Sequence, residues 1–597
     1  MPKRPIRIAN ASGFLGDRAS ALAEMVFGGD IDVVSGDYLA EITMQILAKQ
    51  RDRDPSLGFA ASFLHHLEPA FAKAIEKGVK IVVNAGGLNP DGLAKRTTAL
   101  AQKLGLTVRI ATVHGDDLAP RLAELTAAGE TFTNLETGEA LPSDPGFVRT
   151  ANAYLGGWGI ARALEAGADI VICPRVTDAS LAVGPAAWWH GWKRDDWDRL
   201  AGAIAAGHVI ECGPQATGGN FSGFLELAGP KGVGDARFDA LLRPGFPIAE
   251  IADDGSSVIT KHPNTGGRVT VGTVTAQLLY EIDSPRYLNP DAVLHVESIQ
   301  VLEEAPDRIA MRGVRGSPPP PTTKVAVTTR GSFKNEMLFV AVGLDIEEKI
   351  ALFERGVRDL LKRSNATIEI QRIGTVKPDA DRQDEASVLL RVVATSTNEQ
   401  DAGRAFSSAL VELALSSYPG VFAIAPPGPA NDAGRYWPTL ISQSRLLHEV
   451  TLPDGTKEMV AGPPVLQPAT IVVTPAPAPR SWGETRRAPL GTIVDARSGD
   501  KGSHANVGVW ARSDLAFEWL RSELTTERFV ELVPEAKPFA VDRYELPNLR
   551  GLNFLVRGIL RGGAVASSRF DRQAKAFGEF LRSRVVEIPI SLFDPGT

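Results

Sequence analysis

The sequence predicts an α/β architecture, a mostly parallel sheet with helices on both faces, followed by a central α+β region and a small C-terminal α+β region. Three observations lead there. Residues 1–225 alternate short apolar runs with helical patterns, the order that a parallel sheet with crossover helices requires. Runs such as Ile81-Val82-Val83 are apolar at successive positions, as in a strand covered on both sides. The runs also end in loops of glycine and polar residues, behind which a helical pattern resumes. The layout is Rossmann-like in outline.

Ile6–Ala11 reads as a strand, Ser12–Asp17 as a turn and Arg18–Phe27 as a helix. Ile31–Ser35 is the next strand, with helices over Leu39–Lys49 and Phe59–Lys77. Val79–Asn84 runs into Ala85-Gly86-Gly87, and a helix starts at Asp91. Thr107–Val113 ends in His114-Gly115-Asp116-Asp117, and Asp169–Cys173 ends in Pro174-Arg175-Val176-Thr177-Asp178. From Ser256 to Ile282 the pattern reads as strand and turn, with Asn264-Thr265-Gly266-Gly267 as a hairpin. Val293–Val301, Thr323–Thr329, Phe339–Val342, Thr367–Ile373 and Ser387–Val393 read as strands; Ile346–Lys362 and Asp401–Leu415 read as helices. Proline crowds the stretch after Ala461, which predicts an extended connector. The expected regions are therefore 1–255, 256–460, a linker at 461–488, and a small α+β tail at 489–597.

Composition narrows the function. Apolar residues make up 44% and charged residues 23%, which excludes a wholly disordered chain or a fibre. The formal charge of −7 leaves no electrostatic footprint for nucleic acid or anionic lipid. No apolar run reaches the ~18–20 residues of a membrane span. The start lacks the apolar core of a secretion signal. Cys173 and Cys212 are the two cysteines, and neither lies in a C-x-x-C pair. A cytoplasmic protein without a cysteine-rich metal centre is expected.

Ligands of open parallel sheets bind beyond the carboxyl ends of the strands. Those ends carry Gly13, Gly16 and Asp17; Asn84, Gly86 and Gly87; His114, Asp116 and Asp117; and Arg175, Thr177 and Asp178. The spacing Gly13-Phe14-Leu15-Gly16 does not match the dinucleotide fingerprint, and no phosphate-binding P-loop is present, so no separate cofactor is expected. The densest polar segment is Glu211-Cys212-Gly213-Pro214-Gln215-Ala216-Thr217-Gly218-Gly219-Asn220. Glu211 and Asp178 are candidate proton carriers and Cys212 a candidate catalytic thiol. N–H groups at Gly86, Gly87, Gly218, Gly219 and Asn220 are candidate oxyanion donors, with Gln215 and Thr217 beside them. A tight turn around a capped carboxylate and an inert thiol would look the same. In the tail, Arg497, Ser498, Asp500 and Lys501 form a polar glycine loop suited to gripping phosphate or carboxylate.

Gly13-Phe14-Leu15-Gly16-Asp17, Asn84-Ala85-Gly86-Gly87, Arg175-Val176-Thr177-Asp178-Ala179 and Glu211 to Gly219 resemble, in order, the signature segments of the acyclic terpene utilisation family AtuA. The resemblance covers residues 5–450, and Ser498-Gly499-Asp500-Lys501-Gly502 resembles that family's accompanying ferredoxin-fold domain. Cys173-Pro174 departs from the pattern before Arg175. The resemblance implies a place in the catabolism of acyclic terpenoids through CoA thioesters. With the residues above it leads to an expected acyl-CoA-processing lyase of the hydratase or dehydratase type. CoA is expected to enter as part of the substrate, and a homo-oligomer is expected, with neither nucleic acid nor membrane as a partner. Two alternatives stand beside it. One is a hydrolase or C–C lyase on a related acid, metal-assisted through His114, Asp116 and Asp117; the other is a non-catalytic, metabolite-binding subunit.

Overall fold

A computed structural model describes residues 3–144, 146–229, 234–478 and 480–593. Its centre is a mixed sheet of eleven strands. Five central strands are parallel, in the order Ile6–Asn10, Val33–Gly36, Lys80–Val83, Ile170–Ile172, Ile110–His114. Antiparallel strands extend both edges. Pro247–Ile251 pairs with Ile6–Asn10, and Ser257–Lys261, Arg308–Arg312 and Gln300–Ala305 lie successively outward. Glu449–Thr451 and Lys457–Met459 close the other edge.

Successive residues of the central strands serve opposite cores, which is why their sequences are apolar without alternation. Val33, Val82 and Val171 face helices Trp158–Glu165, Ser180–His190 and Trp197–Ile210. Val34, Ile81, Val83, Ile170 and Ile172 face helices Ala21–Gly28, Ser62–Leu67, Phe71–Glu76 and Pro90–Lys103.

Several sequence expectations are corrected. The helix expected over 59–77 is two helices, Ser62–Leu67 and Phe71–Glu76, because Pro69 between them has no N–H to continue the ladder. Asn264–Gly267 is not a hairpin turn; the hairpin joins Pro247–Ile251 to Ser257–Lys261 around Gly255, at φ +84°. The boundary expected at 255/256 falls in that turn, so the first two regions share one sheet. Val271–Leu278, rich in β-branched residues that suggested a strand, is a helix. Thr270 and Thr273 cap it reciprocally, with Thr270 Oγ1 accepting from Thr273 N at 3.1 Å. Val148–Ala153 is a further strand. It pairs with Thr322–Thr329, which pairs with Tyr436–Ser442, and so brings the central region against the main sheet. Another part of that region is an antiparallel sheet led by Phe333–Val342 and Ser387–Ser396, with helices Ile346–Leu360 and Phe406–Ser416 on its core.

The tail is an antiparallel sheet in the order Val494–Lys501, His504–Ala511, Gly551–Val556, Val541–Leu546, with helices such as Asp514–Glu523 and Phe577–Ser583 sharing its core. It docks on the body through two glycines. A Cβ on Gly508 would lie 2.6 Å from Leu279 Cβ, and one on Gly551 would lie 3.2 Å from Leu279 Cδ1. Beside them Asn506 Oδ1 accepts from Glu281 N at 2.8 Å, and Asn553 Nδ2 donates to Ile282 O at 3.2 Å. Gly508→Val is therefore expected to weaken docking by about 1–3 kcal/mol, as overpacking does. The thermal midpoint should fall and proteolytic cleavage within 461–488 should speed up; unchanged values of both would show that Leu279 is not the anchor.

Candidate functional site

Parallel strands put their carboxyl ends on one rim, so the loops beginning at Asn10, Asp37, Asn84 and Arg175 meet there. Asn10 ties in the distant Glu211 segment, since its Nδ2 donates to Glu211 O at 3.3 Å and to Ser12 O at 3.0 Å. Above the rim, the segment Tyr280–Pro290, the strand at Thr322–Lys324 and the tail close a cavity of about 780 Å³. The chain's own tail supplies Asp500, Lys501, Gly502, Gln573 and Lys575 to its wall.

One pole is built around Arg175. Its guanidinium is buried, donates to Asp178 Oδ1 at 2.7 Å and to Leu39 O at 3.2 Å, and stacks 4.3 Å from the centre of the Tyr154 ring. Asp37 lies beside it and accepts from Asn84 Nδ2 at 2.5 Å. Burial, then the charge of Asp178, pushes the Asp37 carboxyl well above its ordinary range. Glu41 goes the other way. Burial alone would raise it, but Lys324 and Arg175 hold it at about 2.

The second pole is the Glu211 segment. Glu211 comes directly after the last turn of helix Trp197–Ile210, which aims its carboxyl at His208 one turn earlier: Oε1 and Nδ1 are 3.0 Å apart. Burial raises Glu211 well above the carboxylate range, helped by Asp178 and Glu281. Burial also lowers His208 to about 4, helped by Lys501. The carboxyl therefore keeps its proton to higher pH than an ordinary glutamate, beside an imidazole that stays unprotonated to lower pH than an ordinary histidine. Glu211 Oε2 has no hydrogen-bond partner among the described residues. Tyr287 packs its ring 4.8 Å from that of His208, and Lys501 Nζ lies 4.9 Å from the Tyr287 centroid. Nearby, Lys575 Nζ joins Tyr280 Oη, Glu281 Oε1 at 3.0 Å and Asp500 Oδ1 at 3.3 Å. Burial, with Glu281, raises the Asp500 carboxyl to about 7.

Of the residues singled out by sequence, Gly13, Asp17, Arg175, Thr177, Asp178, Glu211, Cys212, Gln215, Gly219, Asn220, Asp500 and Lys501 line this cavity. The others are used elsewhere. Asn84 is buried behind the wall and orients Asp37 and Tyr38 N. The four glycines among the expected oxyanion donors are occupied: Gly86 N donates to Cys173 O, Gly87 N to Asn84 O, Gly218 N to Gln215 O and Gly219 N to Pro214 O. Thr217 donates to Pro214 O and Gly245 O. Arg497 stacks on Tyr280 and bonds Gln215 and Asn220 O, so it clamps tail to body and does not reach for phosphate. Ser498 is buried and accepts from Gly578 N. Cys212 reaches the wall, but burial, then the charge of Glu211, raises its thiol well above normal, the reverse of what a nucleophile needs.

The expected metal ligands do not converge. Asp116 Oδ2 accepts from Asn152 Nδ2 and Arg175 N, His114 Nε2 bonds Thr112 Oγ1, and Asp117 faces Arg51 at 3.6 Å. Among the described residues, no three His, Cys, Asp or Glu side chains are grouped to hold a metal.

Sequence reasoning missed Glu41, Lys324, Tyr154, Lys575 and the whole wall from Tyr280 to Pro290. Its only local signal is a pair of tyrosines, Tyr280 and Tyr287, flanked by Glu281, Asp283 and Asn289 in a chain with seven tyrosines.

A family model described as acyclic terpene utilisation family protein AtuA matches residues 6–452, and one described as the AtuA ferredoxin-like domain matches residues 488–587. No curated protein and no solved structure matches the chain. No helix among the described residues is long and apolar enough to cross a membrane.

Proposed function

The chain belongs to the acyclic terpene utilisation family AtuA and carries that family's ferredoxin-like domain as its tail, and from that premise we propose that it is a hydratase- or dehydratase-type lyase acting on a branched-chain or terpenoid acyl-CoA. The observation that carries this reading is Glu211. Its carboxyl, pushed above the ordinary range by burial and unpartnered at one oxygen, lies on the wall of a cavity that also presents Asp178.

The chemistry asks for one acid and one base. In the dehydration direction, Asp178 accepts the proton from the carbon next to the thioester. The C–H electron pair becomes the carbon–carbon double bond and the Cβ–O bond breaks. Glu211 supplies the proton with which hydroxide leaves as water. Hydration runs the same steps backward. The two carboxyls have then exchanged protonation states, and proton exchange with water restores them. A cavity of about 780 Å³ matches a site for one drug-sized molecule, room for the acyl group and its thioester.

The test is incubation of the full chain with enoyl-CoA and 3-hydroxyacyl-CoA thioesters of branched acids. The conjugated thioester is monitored by ultraviolet absorbance, and solvent deuterium at the α-carbon by mass spectrometry. Water addition or removal is expected. No absorbance change and no deuterium across the panel would overturn the reading, and tight calorimetric binding of unchanged thioesters would assign a metabolite-binding role instead.

A further inference from the structure

Two polar groups of the cavity wall have no place in the acid–base step and no partner among the described residues. Asn289 is 2% exposed and lines the cavity, yet neither its Oδ1 nor its Nδ2 has a hydrogen-bond partner. A buried amide left this way destabilises the folded chain, so packing alone does not account for it. Its neighbours hold it in place. Pro290 comes next, and then Asp291, which is buried and accepts from Gly157 N at 2.7 Å. The second group is Lys501. Among the described residues its ammonium has neither a hydrogen bond nor an ion pair, only the face of Tyr287, two positions before Asn289. Lys501 stands at the tip of the hairpin between Val494–Lys501 and His504–Ala511. That tip is fixed to the body, since Ser503 N donates to Glu136 Oε1 at 3.0 Å.

We propose that Asn289 Nδ2 and Lys501 Nζ together bind the substrate's thioester carbonyl oxygen. This rests on the acyl-CoA reading above. When the adjacent carbon loses its proton, charge moves onto that oxygen, and fixed donors facing it in a water-poor site favour the transition state over the ground state. The glycine N–H groups that would otherwise do this are already donating to carbonyls of their own turns or of the neighbouring strand end. One donor comes from the body and the other from the tail, so the site is incomplete unless the tail is docked.

The test reads carbonyl polarisation without turnover. 4-(Dimethylamino)cinnamoyl-CoA, a chromophoric thioester whose absorption moves to longer wavelength as its carbonyl is polarised, is titrated into the full chain. A red shift is expected with the wild type. Asn289→Leu and Lys501→Met should each remove most of it and weaken binding at least tenfold. The thermal midpoint of Asn289→Leu should be unchanged or raised, because it deletes an unsatisfied group. Asn289→Ala, which removes the donor without adding a titratable group, serves as the second variant. A shift that survives both substitutions, a thioester that does not bind, or a midpoint that falls in both Asn289 variants would overturn the proposal. A shift lost as expected in a protein that hydrates no thioester would keep the oxygen clamp and remove the hydratase reading. Turnover with an unshifted chromophore would do the reverse.

Discussion

Glu211→Gln is expected to lower turnover by about 10²–10⁴-fold, the range for loss of a general acid, and to leave the chain folded. The substitution keeps the volume of the side chain beside His208 and removes only its ability to give up a proton. Its effect on stability depends on pH in a predictable direction. Burial, with Asp178 and Glu281, holds the folded carboxyl well above the ordinary value of 4.5. As pH rises past 4.5 the unfolded chain releases this proton while the folded chain keeps it, so the folded state binds more protons and stability falls with rising pH. Glutamine does not titrate. The thermal midpoint of the variant relative to wild type should therefore climb as pH increases from about 4.5. His208 acts with the opposite sign. It is held at about 4 against an ordinary 6.5, so its contribution is present above 6.5 and is lost as pH falls toward 4. Turnover and thermal midpoints measured together across this range separate the two groups, and a midpoint difference that stays flat with pH would show that Glu211 is not held neutral.

Some of this was legible in the chain and some was not, for physical reasons. The meeting of Asp17, Arg175 and Asp178 at one edge comes from topology, because parallel strands all end on the same side, whereas Glu211 ends a helix and is tied to that edge by Asn10. Seeing it takes only the apolar runs and the polar loop at the end of each run. The role of the glycines was not legible. A glycine-rich turn after a strand or helix looks the same whether its N–H groups face a ligand or close on the turn, and at Gly218 and Gly219 they close on Gln215 O and Pro214 O. The central sheet kept its parallel core, but its edges come from strands far along the chain from Ile6–Asn10, paired through registers that no local pattern encodes. The far wall of the cavity has the same origin. Lys324 arrives by pairing of Thr322–Thr329 with Val148–Ala153, and Lys501 by docking of the tail on Leu279. Gly508 signals that docking only once Leu279 is known to sit against it.

The largest stability effect is expected at Arg175. It pairs with Asp178 and also lowers the cost of burying Asp37 and Glu41. Arg175→Met keeps a long apolar side chain and removes the positive charge, leaving three carboxyl groups with Lys324 as the nearest cation of that pole. Breaking one side of a buried pair costs about 3–5 kcal/mol, and denaturant or thermal unfolding at neutral pH should show a loss of that size. The loss should shrink in acid. Glu41 is held at about 2 in the wild type against an ordinary 4.5, so it contributes stability above 4.5 that disappears as pH falls through about 2. Without Arg175 part of that contribution is missing from the start, and the gap between variant and wild type should narrow over the same interval. Arg175→Lys should fall between the two, since it retains the charge but not the fork that reaches both Asp178 Oδ1 and Leu39 O. A gap that stays constant from neutral pH into acid, equal for methionine and lysine, would mean that guanidinium stacking on Tyr154, and not charge, holds this pole of the cavity together.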